Sequence, residues 1–175
     1  MDMICLADFG MPLDIDGIAQ RLAYTPRFFG AEGHQYSVAQ HAIELSEMVP
    51  TRLERAALLQ DVARTALGAG FAVLSTWSPE IRALERKLTA EVMAHFGVIW
   101  TAGIEAELRA FERILLATVV RDLTPDTTLG LPSLEGVEPR IAPLEIVPAS
   151  SAERCYRSVW RLLNAQHQAR LSFVA

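Results

Sequence analysis

The sequence predicts an all-α fold, and three observations carry that reading. Apolar residues recur at helical spacing in several segments. Polar cap residues and glycine or proline stops bracket those segments. No stretch alternates as a strand would. The expectation is a bundle of about five longer helices plus short ones, in a single domain covering residues 1–175. A proline-rich connection precedes the last helix.

Residues 1–14, with Gly10 and Pro12, read as an irregular lead-in. Asp14 or Asp16 caps a short helix to about Tyr24, and Thr25-Pro26-Arg27-Phe28-Phe29-Gly30 breaks it. After a loop at Gly33-His34-Gln35-Tyr36, Ser37 caps a helix that runs to about Val49 and ends at Pro50. Val38, Ala42, Leu45 and Met48 form its apolar face, His41 belongs to that side, and Gln40, Glu44 and Glu47 lie opposite. The next helix opens on a capping box of Thr51 and Glu54 and stops at Gly68. Ala69 to Trp77 has no clear period. Ser78-Pro79 starts a helix to about Phe96, stopped by Gly97. Thr101 starts another, ending near Leu123, with Leu108, Phe111, Leu115, Val119 and Leu123 on its apolar face and Arg109, Arg113 and Arg121 elsewhere. Residues 124–149 carry Pro125, Pro132, Pro139, Pro143 and Pro148 and read as an extended arm. Ser150 and Glu153 form a second capping box for a last helix to about Gln166.

Composition narrows the function classes. Hydrophobic residues make up 51%, which excludes a disordered chain. No apolar run approaches the ~20 residues of a membrane span. The start, Met1 to Asp8, lacks the basic region and apolar core of a signal peptide. Cys5 and Cys155 are too few for a disulfide scaffold or a zinc cage. A cytoplasmic location is the expectation. A formal net charge of −5 and the lack of a Lys/Arg stripe disfavour nucleic-acid binding.

The organising stretch is Ala56 to Gly68. Leu58, Leu59, Val62, Ala63 and Ala66 cover most of its wheel, so the helix is expected to be buried nearly all round. Gln60, Asp61 and Arg64 make a polar island in it. Burying a neutral polar group without a partner costs roughly 2–7 kcal/mol, and a charge costs more. Either Arg64 pairs with Asp61 at i, i+3 as a structural cluster, or the island floors an active site. His41 also points inward, and so does Glu112, one turn after Leu108. Histidine and carboxylates converging from several helices is how bundles build metal or catalytic sites. A buried salt-bridge network of His41, Asp61, Arg64 and Glu112 is the purely structural alternative.

These residues stand in a recognisable frame. Arg27-Phe28, Gly30 and His34 precede Tyr36-Ser37-Val38-Ala39-Gln40-His41. Leu58-Leu59-Gln60-Asp61 follows, then Leu115-Leu116-Ala117-Thr118 through Arg121-Asp122-Leu123, and finally Ile146-Val147-Pro148 with Ala152. The chain resembles the HD-domain metal-dependent phosphohydrolases, and most closely their small bacterial and phage-type members. The resemblance spans nearly the whole chain; its most specific part is the Tyr-Ser-Val-Ala-Gln-His run. It implies an HD-like helical bundle and a divalent metal held by two histidines and two aspartates, which orients phosphate and activates water.

This chain departs from that pattern at the metal. His41 and Asp61 keep two ligand positions, and Glu112 stands where the later aspartate is expected. Gln60 replaces the second histidine, Arg64 replaces an acidic residue, and Ala69 replaces a further aspartate. Gln60 is a poor substitute for imidazole on a transition metal, and Arg64 is a fixed cation. Arg64 is expected between Asp61 and Glu112, taking over the charge of the metal, so that Arg64→Ala would destabilise the fold clearly. The resemblance places Arg27 and His34, with His41 and Gln60, near the substrate, and Asp61, Arg64 and Glu112 at the reacting centre. The expected ligand is a small phosphorylated molecule or nucleotide, bound with little or no hydrolysis. No cofactor is expected. The alternative is a working phosphomonoesterase with a divalent ion (Mn, Co, Mg, Zn or Ni) on His41, Asp61 and Glu112. Self-association into a homo-oligomer stays open.

Overall fold

The computed structural model of the chain describes residues 6–27, 35–68, 74, 77–123 and 134–174. Cys5, Phe28, Gly30, His34, Ala69, Pro125 and Pro132, singled out above, lie outside the described residues. The fold is all-α. Its helices are α1 (Ile15–Ala23), α2 (Val38–Met48), α3 (Glu54–Leu59), α4 (Val62–Leu67), α5 (Pro79–His95), α6 (Ala102–Leu123) and α7 (Ala149–Val174). Short 3-10 turns occupy Leu6–Phe9 and Thr51–Leu53. Among the described residues no strand forms; Pro26 and Ser37 make an isolated antiparallel bridge. No described helix is long and apolar enough to cross a membrane.

Side-chain caps set most helix starts. Asp14 accepts from the Gly17 amide at 2.8 Å. Gly17 is needed there, because a Cβ would lie 2.5 Å from Cβ of Pro12. Ser37 accepts from the Gln40 amide at 3.1 Å, Ser78 from Ile81 at 3.2 Å, and Thr101 from Ile104 at 3.2 Å. Two expected capping boxes do not form. Thr51 opens a 3-10 turn directly after Pro50, and neither that turn nor α3 has a side-chain cap. Ser150 lies inside α7, whose first turn closes when the Ser151 and Ala152 amides bond to the Pro148 carbonyl at 2.9 and 3.0 Å. That helix also continues past Gln166 to Val174, since no glycine or proline interrupts it.

The helix expected over Ala56 to Gly68 is two short helices. Gln60 and Asp61 form a turn between α3 and α4, with Asp61 at φ −89°, ψ 0°, the sparsely allowed bridge region. Burial nearly all round is as expected: Ala56, Leu58, Leu59, Val62, Ala63, Ala66 and Leu67 are all core residues. Gly68 ends α4 at φ +87°, ψ 162°, a conformation essentially reserved for glycine.

α2 is the centre of the bundle and packs against α1, α3, α6 and α7. Its expected polar face is partly covered, which corrects the amphipathic reading. Gln40 is buried; its amide donates to the Glu145 carbonyl at 2.7 Å and accepts from the Val147 amide at 3.2 Å. Glu44 pairs with Arg140. The stretch over 134–148 is non-helical, as the proline content suggested, and it lies against α2. It is further held by the Leu144 amide donating to Asp122 at 2.8 Å.

The turn at Gln60–Asp61 depends on α7. Carbonyls at a helix end lose their internal partners, and the fully buried Tyr156 donates its hydroxyl to the Leu58 carbonyl at 2.7 Å. Burial, and next the charge of Asp61, raise the phenol pKa, so the group remains a donor. Tyr156→Phe keeps the ring but leaves that acceptor unpaired. The expected loss is about 1–3 kcal/mol of stability by urea denaturation; an unchanged midpoint would show that the carbonyl finds water.

Candidate functional site

Two helices and a turn bring the sequence-predicted residues together. His41 comes from α2, Gln60 and Asp61 from the turn between α3 and α4, and Glu112 from α6. One ligand atom each from His41, Asp61 and Glu112 lies within 4.8 Å of the others. Arg27 joins them from the end of α1. Its amide donates to the Tyr36 carbonyl at 2.8 Å, beside the Pro26–Ser37 bridge, which fixes it next to the start of α2.

Glu112 is the hub. Its Oε1 accepts from Arg27 at 2.8 Å and lies 2.9 Å from His41 Nε2, while its Oε2 accepts from the Gln60 amide at 3.0 Å. Burial acts to raise its pKa, but His41, Arg27 and Arg64 outweigh that and hold it well below the usual carboxylate range. Behind His41, the Tyr36 hydroxyl lies 3.3 Å from Nδ1. Burial, then the Glu44 charge, push the Tyr36 phenol well above its ordinary value. The hydroxyl therefore stays protonated and can donate to Nδ1, which leaves Nε2–H to donate to Glu112.

Asp61 is 3% exposed. Its Oδ1 accepts from Arg64 at 3.2 Å. Its Oδ2 is buried with no hydrogen bond among the described residues, and Arg27 Nε is 3.9 Å away.

Arg64 is not where the sequence placed it. It lies between Asp61 and Glu85 of α5, donating to Glu85 at 2.8 Å, with its side chain 40% exposed. Arg27 takes the position between Asp61 and Glu112 instead. The reason is reach: the turn at Asp61 directs residue 64 outward along α4 toward α5, whereas Arg27 enters from the buried side. Burial would lower the Arg64 pKa, but Asp61, Glu85 and Glu112 outweigh it and raise it, so the cation is permanent.

Gln60, Asp61, Arg64 and Glu112 floor a cavity of about 270 Å³ between α5 and α6, and His41 and Arg27 are not among its lining residues. Arg82, Glu85, Arg86 and Thr89 line it at i, i+3, i+4 and i+7 of α5. Trp100, Glu105 and Arg109 line the opposite wall. Sequence reasoning missed Glu85, Arg82, Arg86 and Trp100, and set Arg109 aside. A signal for Glu85 was present: it shares the inward stripe of Leu88, Thr89 and Val92.

No family model matches the chain. The chain is 31% identical over 134 residues to YfdR of Escherichia coli (strain K12), and the alignment covers 77% of this chain and 74% of that protein. The chain belongs to the same family as YfdR. That relative is described as an uncharacterized protein, so the kinship carries descent and no activity.

The two arginines should differ on removal. Arg27 is 14% exposed and faces carboxylates that are 4% and 19% exposed. Arg27→Ala strips a buried pair and is expected to cost about 3–5 kcal/mol near neutral pH. Arg64 is itself 40% exposed, though its carboxylates are 4% and 16% exposed; Arg64→Ala strands the Asp61 acceptor and is expected to cost less, about 1–3 kcal/mol. Equal losses in thermal denaturation would contradict this placement. The Arg27→Ala deficit should narrow on acidification, because protonating a carboxylate removes the charge left behind.

Glu112 sets a second pH dependence. Its folded pKa lies below the ordinary 4.5, so its contribution is complete above that value and disappears as pH falls through the folded one. Glu112→Gln is expected to flatten the acid limb of the melting temperature between about pH 5 and about pH 2, measured against the parent protein. A parallel acid limb in the variant would assign the effect elsewhere.

Proposed function

We propose that this chain is an HD-domain phosphohydrolase-like protein that binds a phosphorylated small molecule or nucleotide in the cytoplasm, with little or no hydrolysis. The observation that carries the proposal is Arg27 on Glu112 Oε1, the same oxygen that His41 contacts. A guanidinium there supplies the positive charge that a divalent ion would bring. The neighbouring positions reinforce it: Gln60 offers Glu112 an amide donor instead of offering a metal an imidazole, and Arg64 adds a second cation beside Asp61. Guanidinium groups hold and orient anions, but they have no coordination site at which water becomes hydroxide.

One observation favours the alternative, a metal-dependent phosphomonoesterase. Among the described residues the buried Asp61 Oδ2 lacks a hydrogen bond, and His41, Asp61 and Glu112 present three ligand atoms at short range. Those three would hold the ion, which when bound would polarise phosphate and activate water. Arg27 would first have to leave Glu112, and His41 would have to turn its Nε2 lone pair inward, with Nδ1–H then donating to Tyr36.

Hydrolysis of nucleoside monophosphates with added manganese, cobalt or magnesium separates the two. Negligible release of phosphate is expected. Turnover at ~1 per second or faster would establish the enzyme. Gln60→His combined with Arg64→Glu is expected to gain divalent-metal affinity in titration calorimetry relative to the parent, since position 60 already reaches Glu112.

A further inference from the structure

We propose that the cavity holds its phosphorylated ligand with the phosphate at the outer rim, on Arg82, Arg86 and Arg109, and a planar ring on Trp100. The Asp61–Glu112 end then makes no phosphate contact. The inference rests on the reading of the chain as a phospho-ligand binder and reverses the orientation that a metal-bound phosphate would require.

Charge distribution along the cavity drives the assignment. The inner end presents Asp61 and Glu112; Arg64, which lines it, is held by Asp61 and Glu85, and Arg27, which does not line the cavity, is held by Glu112. An anion placed there meets the Asp61 oxygen that has no hydrogen bond among the described residues. The outer end is more exposed. Arg82 and Arg86 are exposed and stand one helical turn apart on α5. Arg86 has no ion pair or hydrogen bond among the described residues. Arg109, across the cavity on α6, is 68% exposed and pairs with Glu105 at i, i+4. Such an exposed pair is weak and exchanges readily for a better anion. Guanidinium forks match phosphate oxygens in geometry as well as charge.

Trp100 supplies the second half of the site. It is half-buried and lines the same cavity, where an indole face can stack on a flat ring. A volume of about 270 Å³ lies near the small end of ligand pockets. It suits one ring and one phosphate group, so the class is an aromatic phosphate monoester such as a nucleoside monophosphate.

Titration calorimetry of the full chain at low salt, with adenosine 5′-monophosphate, adenosine and inorganic phosphate as probes, tests this. Arg82→Ala with Arg86→Ala is expected to weaken the monophosphate at least ~10-fold, about one decade per 1.4 kcal/mol, while adenosine affinity stays within about twofold. Glu105→Gln frees Arg109 and is expected to tighten the monophosphate. Both arginines are exposed, so circular dichroism should match the parent. Trp100→Leu is expected to weaken adenosine and the monophosphate together and leave inorganic phosphate unchanged. If the monophosphate binds the parent protein but survives the double substitution unweakened, the rim assignment is wrong and the phospho-ligand reading stands. If the parent binds neither the monophosphate nor inorganic phosphate, both fail.

Discussion

Two carboxylates, Asp61 and Glu112, sit within a few ångströms of each other in the bundle, and neither is tolerable there without a counter-charge. Much of the centre of the molecule answers that constraint. Arg27 approaches from the end of α1, Arg64 from α4, His41 from α2, and Gln60 adds an amide. Even the turn between α3 and α4 belongs to this solution. An unbroken helix would carry Asp61 on its cylinder, whereas the bridge conformation leaves its carboxylate between two guanidinium groups. The turn in turn frees backbone acceptors, and Tyr156 of α7 takes one of them.

A covalently attached counter-ion has different chemical consequences from an exchangeable one. A divalent ion brings open coordination positions, lowers the pKa of bound water and leaves with a chelator. An arginine is always present, always charged and already saturated with its own protons. Here it neutralises the carboxylates and orients them. Stability can be retained under such a change, and the proposal of a binder rests on these electrostatics as well as on resemblance.

Much of this was legible in the residues. Ser37, Ser78 and Thr101 cap helices where their side chains implied, and Gly68 stops α4 where only a glycine backbone fits. The inward positions of His41 and Glu112 followed from helical periodicity, and that of Asp61 from a helix apolar around most of its circumference. What periodicity does not carry is the path of the backbone between elements. The turn at Gln60–Asp61 lies inside a continuous helical pattern, and it rotates Arg64 away from Glu112 toward Glu85. Arg27 follows Pro26 and has no periodic context, so its role as the bridging cation comes from the pairing of 25–27 with 36–38, a tertiary contact. Gln40 read as an outward residue because its partners, the backbone of Glu145 and Val147, are over a hundred positions away.

That position of Gln40 has one more implication. Gln40 and His41 are consecutive on α2, and successive helical residues point about 100° apart around the axis. One grips the arm over 145–147, and the other touches Glu112. A helix packed on four sides cannot bend locally to satisfy one and not the other. It can only roll or slide as a rod, carrying both side chains together. The arm therefore acts as a detent on α2, setting the angular position from which the histidine meets its carboxylate.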